Sequence, residues 1–428
     1  MPVFIRYLVL GGIALTFLFN GPLLDLVGLN YVAAQGSVVT KIHPALYIFA
    51  VAAALGLISN DGRYRCILIR PWFTIYLVTA VILSARAVLN KDGVQGQMAA
   101  AIVTFLMPAI MVIAVQGISR FQWESMGTVL RIFFVLNSLM GLAERLVGSR
   151  FIPSFIEGMR IDPRAAALLG HPLNASLLTG LLLVYLASAR PRTGERVWLR
   201  FPEMLLHVCA MFAFGGRSAL VFTTATILAS AIWVRSSRGE RRMSALQRAL
   251  PFAILAIGVV LVFLPIPFIE ATLARFQGDV SSTETRNAAF TMLQGVTGHD
   301  LLYGLTNERR QILLDFYNAP AIEISWIALM LTYGLIPAVL IIIGLLILLA
   351  GSARSLDRSA TWMALLVCVV SVGSLAIGSK TLLITQTLLM MYALSQKRVV
   401  DSGPSIFETL ARAQGRPRRP APGLVGDT

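Results

Sequence analysis

Three basic residues lie at the edges of long apolar runs, where their side chains could bind phosphate groups. Arg217 follows two glycines between two such runs, Arg86 lies near the end of another, and Lys380 lies between the last two. A guanidinium fork binds phosphate oxygens through two parallel hydrogen bonds. If these side chains converge, they form a cationic pocket that suits a phosphate or a pyrophosphate. The alternative is that each side chain snorkels to phospholipid head groups.

Further polar residues could contribute to the same site. His171 and Asn174 belong to the sequence GHPLN, where proline predicts a helix start and places the two residues one turn apart. Arg164 adds positive charge upstream, and Glu323 begins a long apolar run, where its carboxylate could act as a general base. The alternatives are a simple helix-starting turn, a solvated loop charge for Arg164 and compensation of a helix dipole by Glu323.

The composition excludes a soluble protein. Hydrophobic residues make up 57% of the 428 residues and charged residues 13%, with a mean hydropathy of +0.75, whereas soluble domains carry about 25% charge. The net charge of +15 comes from short loops between apolar runs, which argues against nucleic acid as a partner. The sequence contains no Walker A, GxGxxG, HExxH or GxSxG motif. The three scattered cysteines indicate free thiols, and no cofactor or metal is expected.

Apolar runs of membrane-spanning length predict an all-α, polytopic transmembrane protein of about 12 spans. The N-terminal run is expected to be a retained first helix and not a signal peptide. The predicted spans cover residues 4–19, 44–58, 72–89, 98–117, 126–147, 165–188, 201–214, 218–234, 249–265, 322–350 (which contains Pro337), 362–378 and 381–394.

The distribution of charge predicts the orientation of these spans. With both termini cytoplasmic, the inner segments hold 22 of the 36 Lys and Arg residues, in accord with the positive-inside rule. The transmembrane domain is expected to cover residues 1–396, and residues 397–428 form a cytoplasmic tail that is expected to be disordered.

One outer segment, residues 266–321 between spans nine and ten, is longer than a connection requires, and long ordered loops are usually functional. Its four arginines and six carboxylates give it a charge of −2, opposite in sign to the inner loops. Ser281 and Glu284 predict a capping box that opens a short helix, which the glycines Gly295 and Gly298 end. A second short helix is predicted over residues 307–317.

These residues, in this order, resemble the O-antigen ligase and polysaccharide polymerase superfamily of bacterial inner membranes. The resemblance covers roughly residues 164–346 and rests on four stretches. They are GHPLN at 170–174, GRS at 216–218, Arg286 with the downstream YGL at 303–305, and EISWIALMLTYGLI at 323–336. Most members have histidine where this chain has Glu323 and asparagine where it has Ile324, so this chain departs from the family at the usual catalytic histidine.

The resemblance implies a donor glycan on undecaprenyl pyrophosphate at the periplasmic face, and a metal-independent, inverting glycosyl transfer. Arg217 and Arg286 would stabilise the departing pyrophosphate, and Glu323 would accept the proton of the attacking hydroxyl. Arg86, Arg164, His171, Asn174 and Lys380 would bind the pyrophosphate or the glycan. The expected partners are the lipid-linked donor, the glycan acceptor, membrane lipids and other polysaccharide assembly proteins.

Three rival functions stay open at this stage. A ligase would use the same chemistry but transfer the glycan to lipid A core or to protein. A transporter or flippase of lipid-linked glycan belongs to a different class, and it would place polar residues near the bilayer midplane. A noncatalytic assembly subunit fits the missing histidine.

Overall fold

The computed structural model describes residues 3–32, 37–59, 61–89, 95–152, 164–189, 195, 197–236, 280–317, 319, 322, 324–372 and 377–397. All regular elements in these residues are helices, and this part of the chain contains no strand, as predicted. The described residues belong almost entirely to one compact unit, Met1–Gln396. Most of the predicted tail, from residue 398 onward, lies outside them.

The helices follow one another along the chain, with short 3-10 turns at several of their ends. In chain order they are α1 (Val3–Leu18), α2 (Gly21–Leu26), α3 (Pro44–Ile58), α4 (Gly62–Leu68), α5 (Pro71–Leu89), α6 (Gln95–Ala101), α7 (Met107–Ala114), α8 (Arg120–Val147), α9 (Pro172–Ser188), α10 (Arg200–Phe214), α11 (Arg217–Ser236), α12 (Val280–Met292), α13 (Gly298–Tyr303), α14 (Asn307–Phe316), α15 (Ser325–Tyr333), α16 (Leu335–Arg354), α17 (Arg358–Val372) and α18 (Leu383–Leu394).

Several of these helices are apolar enough to indicate a helical membrane protein. By length and composition, four described helices can cross a membrane, or five if the bent pair α3 and α4 forms one span. The four are Pro71–Val88, Gln97–Gly117, Arg120–Val147 and Leu335–Arg354. Five shorter apolar helices, α1, α9, α11, α17 and α18, coincide with further predicted spans. The predicted span at 249–265 lies outside the described residues, so the count of twelve stays a prediction.

Helix α9 lies at the centre of the bundle. Thirteen of its seventeen residues are buried, and it packs against α10, α11, α17 and α18. A helix that is apolar on every face is stable only where other helices surround it. Small residues allow close approach, since a Cβ on Gly180 would overlap the hydroxyl of Thr223 in α11.

The predicted tenth span, residues 322–350, is wrong as a single helix. α15 ends at Tyr333 and α16 begins at Leu335, because Gly334 has a φ of +93° that breaks the helix. Pro337 lies in the first turn of α16, where its missing N–H costs little. The nine residues of α15 extend only about 14 Å, less than half of a hydrocarbon core of roughly 30 Å. Only α16 is long enough to cross.

The helix ends in the long loop also differ from the prediction. Ser281 lies inside α12, which includes Val280, so it does not cap that helix. The capping box is instead formed by Thr297 and Asp300 at the start of α13, and Gly298 opens that helix. The backbone N–H of Asp300 donates to Thr297 Oγ1 at 3.3 Å, and the N–H of Thr297 donates to Asp300 Oδ2 at 3.2 Å. The predicted helix over 307–317 is confirmed as α14, capped by Thr306.

A partly buried ion network joins α8 to α10 at the predicted inner side of the bundle, here called the Arg131 end. Arg131 Nε donates to Glu203 Oε1 at 3.0 Å, and Arg131 Nη1 donates to Glu195 Oε1 at 2.7 Å. Arg200, which is 2% exposed, pairs with Glu195 at 2.7 Å and donates to the carbonyl of Leu186 at 3.0 Å. Arg131 and Arg200 therefore both have carboxylate partners.

The helix break gives a test of the fold. Gly334→Ala should lower the free energy of unfolding by about 1–3 kcal/mol, because its backbone conformation is almost exclusive to glycine. A Cβ on Gly334 would also overlap the carbonyl oxygen of Leu302. Thermal unfolding in detergent measures the change. Gly11→Ala in α1 is the control, since a Cβ there meets nothing within 4 Å. Equal unfolding temperatures for the two variants would contradict the break.

Candidate functional site

The ammonium group of Lys380 lies between two segments that precede α3. Lys380 Nζ donates to the carbonyl oxygen of Tyr31 and, at 3.4 Å, to that of Lys41, and it lies 3.6 Å from the centre of the Tyr31 ring. Lys41 itself is 3% exposed. We call this region the Lys380 end. It includes the segment before α9, because Asn20 donates to the carbonyl of Leu168 and its neighbour Phe19 accepts from His43.

A π-helical turn holds the segment that carries Lys380. Between α6 and α7 the chain forms a π-helix, Ile102–Leu106, just before Pro108. Pro108 has no N–H and its ring would clash with the carbonyl four residues earlier in an α-helix, and a wider turn accommodates it. Thr104 in this turn donates to the carbonyl of Ser379 at 3.0 Å and accepts from the backbone N–H of Thr381 at 3.0 Å.

His43 is a neutral histidine beside this cluster. Its Nε2 lies 2.8 Å from the carbonyl oxygen of Phe19, so Nε2 carries the proton and donates, and its Nδ1 accepts from Ala45 N at 3.2 Å. The pKa of His43 is lowered to about 4, mainly by burial; the hydrogen bond to Phe19 opposes this change and the positive charge of Lys380 adds to it. Its ring packs edge-on to Tyr31, with 5.7 Å between the centroids. His43 therefore supports Tyr31 without adding charge near neutral pH.

A buried carboxylate organises the chain that leads to His171. Glu144, which is 2% exposed, accepts hydrogen bonds from the backbone N–H groups of Ala166 at 2.8 Å and Ala167 at 2.9 Å. Asn20 Nδ2 donates to the carbonyl of Leu168 at 2.6 Å. Three hydrogen bonds thus hold the residues between Arg164 and the start of α9.

Four predicted site residues lie on this segment or close to it: Arg164, His171, Asn174 and Arg217. Ala165, next to Arg164, donates its N–H to the carbonyl of Ala213 at 3.3 Å, close to the turn that precedes Arg217. The helix start predicted at Pro172 is confirmed, and His171 is its exposed N-cap residue. Asn174 is half-buried in the first turn of α9. The predicted turn before Arg217 is confirmed as well, since Gly215 has a φ of +64° and α11 begins at Arg217.

Arg86 contacts the long loop. Its Nη2 donates to the carbonyl of Tyr303 at 2.8 Å, and its guanidinium lies 6.0 Å from the centre of the Tyr303 ring. The N–H of Ile377 donates to Ser325 Oγ at 3.2 Å, which connects the start of α15 to the segment of Lys380. Arg86 and Lys380 therefore lie at the same end of the bundle but bind different partners.

The structure describes two of the three predicted catalytic residues, and these two lie on different helices. Arg217 begins α11, which packs against α9 and α17. Arg286 is exposed on α12, one turn before Phe290, whose ring lies 6.2 Å from that of Trp326 at the start of α15. Glu323 lies outside the described residues. The catalytic assignment stays a prediction.

The sequence analysis did not identify several polar residues that the structure places near the predicted site. Glu144 and Asn20 lie at the ends of apolar runs, where a single polar residue gives no pattern. Arg310 is one of the four arginines of the long loop, and nothing in the sequence distinguishes it from the other three. In the described residues, no group of three or more His, Cys, Asp or Glu side chains could hold a metal ion.

No protein-family model matches the chain, and no curated protein has significant similarity to it. The described residues define a class by themselves: an all-helical membrane protein with basic side chains at the Lys380 end.

Lys380 gives a pH-dependent prediction. Its pKa is lowered from 10.5 to about 8, mainly by burial and in part by the charge of Lys41, while Asp25 opposes the change. Between pH 8 and 10.5 the unfolded lysine holds a proton that the native one has released, so wild-type stability should rise with pH. Lys380→Met should stabilise the protein by about 1–3 kcal/mol below pH 8 and lose that advantage towards pH 10.5.

Thermal unfolding of the purified protein in detergent, measured from pH 6 to pH 10.5, checks this expectation. Lys397→Met is the control because Lys397 is exposed. A stability difference between wild type and Lys380→Met that stays constant over this pH range would contradict it.

Proposed function

We propose that the protein is a polymerase-type glycosyltransferase of a bacterial inner membrane. It joins undecaprenyl-pyrophosphate-linked glycan units at the periplasmic face. One observation carries this proposal: Arg86 and Arg217 lie at helix ends, and Arg164 and Lys380 lie in the connecting segments before α9 and α18. A lipid with a diphosphate head group presents its charge at this depth of the membrane, and guanidinium groups bind it bidentately.

Contacts between loops support the orientation on which the proposal depends. Three regions predicted to be at the outer side meet: residues 20–43, the start of the sixth span around Leu168, and Lys380. Asn20 donates to the carbonyl of Leu168, and Lys380 donates to that of Lys41. Segments predicted to be inside also meet, since Asp357 N donates to the carbonyl of Ser395 at 2.7 Å. An odd number of misassigned spans would have placed these segments at opposite ends. This agreement supports the alternation of spans, and the excess of basic residues in the inner segments supports a cytoplasmic location for both termini.

The proposed reaction is an in-line displacement at the anomeric carbon of the donor. A hydroxyl of the acceptor glycan forms the new C–O bond while the bond to the pyrophosphate oxygen breaks, and the electron pair leaves with the lipid pyrophosphate. Glu323 receives the hydroxyl proton. Arg217 and Arg286 balance the negative charge that grows on the leaving group. Attack opposite the leaving group inverts the anomeric centre.

Packing around the long loop supports a shared role for Arg286 and Glu323. Ile322 and Ile324, the neighbours of Glu323, are buried in an apolar cluster that includes Ala289 and Met292 of α12. Arg286 belongs to the same helix as these two residues. This arrangement brings α12 to the segment that contains position 323. Loop helices above a membrane bundle also suit a water-soluble glycan as the acceptor.

The catalytic assignment is testable with purified protein and a defined undecaprenyl-pyrophosphate oligosaccharide, followed by sizing of the products. Arg217→Ala, Arg286→Ala and Glu323→Gln should each slow polymer formation by about 100-fold or more, as expected when a group that stabilises the transition state is lost. Arg217→Lys should also be slow, because ammonium lacks the fork geometry.

Arg120→Gln is the matched control, since Arg120 pairs with Glu124 at 2.9 Å at the predicted inner end of α8. Wild-type polymer length in all three site variants would remove the assignment of catalytic residues. A wild-type protein that forms no glycosidic bond would remove the proposed function itself.

The ligase alternative keeps this chemistry and changes the acceptor to lipid A core. A deletion strain separates the two functions by the banding of its lipopolysaccharide. Accumulation of single repeat units is expected for a polymerase. Loss of capping on the core, with long chains still formed on the lipid carrier, would identify a ligase.

One observation favours a transporter or flippase as a second candidate. Asn137 and His207, on α8 and α10, are fully buried, and the ring nitrogen Nδ1 of His207 lies 2.8 Å from Ser138 Oγ. The side-chain amide of Asn137 and the Nε2 of His207 have no hydrogen-bond partner among the described residues. Buried polar groups within a helical membrane bundle are typical of transport pathways.

Proteoliposomes containing the purified protein and a fluorescent lipid-linked glycan test this second candidate. A flippase would move the lipid between leaflets without forming a glycosidic bond, and His207→Leu would slow that movement. The polymerase proposal predicts no protein-dependent movement in the wild type.

A further inference from the structure

Two neighbouring arginines of α14 have different surroundings. Arg309 pairs with Asp300 at 2.9 Å, and its side chain is 44% exposed. Arg310 is half-buried, and among the described residues its guanidinium has neither a hydrogen bond nor a carboxylate partner. Burial lowers the pKa of Arg310, and the charge interacts with Tyr333. A partly desolvated arginine without a partner is costly, so it requires a reason.

The groups around Arg310 do not neutralise it. Asn307, one turn earlier on α14, uses its Oδ1 to accept from Gln97 Nε2 at 2.7 Å. The hydroxyl of Tyr333 donates to the carbonyl of Gln97 at 3.2 Å. These interactions fix α14 against α6 and the end of α15, yet none of them reaches the guanidinium of Arg310. The position of the arginine is therefore determined by its neighbours, while its hydrogen-bonding capacity is unused.

A second arginine, Arg86, has no carboxylate partner among the described residues and is connected to the surroundings of Arg310 through the chain around Tyr303. Arg86 donates to the carbonyl of Tyr303, the last residue of α13. The next residue, Gly304, packs so closely on the chain before α16 that a Cβ there would lie 2.8 Å from the carbonyl oxygen of Thr332. Since Thr332 is followed by Tyr333, this contact connects the neighbourhood of Arg86 with that of Arg310.

Three candidate spans have one of their ends in this neighbourhood. Arg86 lies in the last turn of the span Pro71–Val88, Gln97 opens the span Gln97–Gly117, and Tyr333 comes two residues before Leu335–Arg354. The site is therefore at a membrane boundary, at the depth of lipid head groups. An anionic group carried by a membrane lipid reaches this depth without leaving the bilayer.

We propose that Arg310, with Arg86, forms a binding site for the phosphate oxyanion of a lipid between α14, α6 and the break before α16. This site rests on the proposed function in one respect, that the lipid is a polyisoprenyl diphosphate and not a bulk phospholipid. The guanidinium of Arg310 supplies the two parallel donors that a phosphate oxygen pair accepts. Arg286, in contrast, is exposed on α12 and is not needed for this site.

Binding of farnesyl diphosphate to the full-length protein in detergent, measured by titration calorimetry, tests the proposal. Arg310→Gln should weaken binding at least tenfold, and Arg310→Lys should restore only part of the affinity. Arg309→Gln is the matched control on the adjacent residue, and it should leave the affinity unchanged. Because Arg310 has no partner to lose and its partial burial is costly, its variants should unfold at the wild-type temperature or above it.

Competition experiments identify the kind of molecule that supplies the oxyanion. Inorganic pyrophosphate should displace farnesyl diphosphate, whereas phosphatidylglycerol at the same concentration should not. Equal affinities of Arg310→Gln and wild type would overturn the site, and so would equal losses in Arg310→Gln and Arg309→Gln. Displacement by phosphatidylglycerol would overturn the assignment to a diphosphate donor. Tight binding by a wild-type protein that forms no polymer would leave this site standing and refute only the proposed function.

Discussion

The absence of water in the hydrocarbon core is the constraint on which this structure depends. Backbone groups that leave a helix at membrane depth must find partners within the protein. At the Lys380 end they do so: Glu144 accepts from the chain before α9, and Thr104 bonds the segment of Lys380 on both sides. Leu305 N donates to the carbonyl of Leu331 at 2.7 Å near the break at Gly334. Each irregular segment is therefore fixed, and the basic side chains that it carries are fixed with it.

The two ends of the bundle balance their charges differently. At the Arg131 end, Arg131 and Arg200 share Glu195 and Glu203, so positive charge is neutralised locally. At the Lys380 end, among the described residues, Lys380 and Arg86 bond to backbone carbonyls. A carbonyl oxygen orients a cation without cancelling its charge. The positive potential of this end is therefore available to an anion, and low-dielectric walls strengthen it.

Local signals in the sequence predicted the turns, whereas the contacts between distant segments were beyond it. The proline after His171 and the glycines before Arg217 identify helix boundaries because they act on their own backbone. The partners of Arg86 and Lys380, by contrast, are 217 and 349 residues away in sequence. The alternation of apolar spans predicts that Arg86 and Lys380 lie at the same end of the bundle. It does not predict which backbone carbonyl binds each side chain.

The break at Gly334 shows why hydropathy alone misjudged the tenth span. Glycine does not interrupt an apolar run, so composition could not separate α15 from α16; the break depends on close contact with Leu302, from a different part of the chain. This contact ties the loop helices to the start of a span. It also keeps Tyr333, and with it the surroundings of Arg310, at the membrane boundary. A preorganised cation loses little entropy when it binds an anion. The same contact that divides the helix can therefore hold a binding group in place before the ligand arrives.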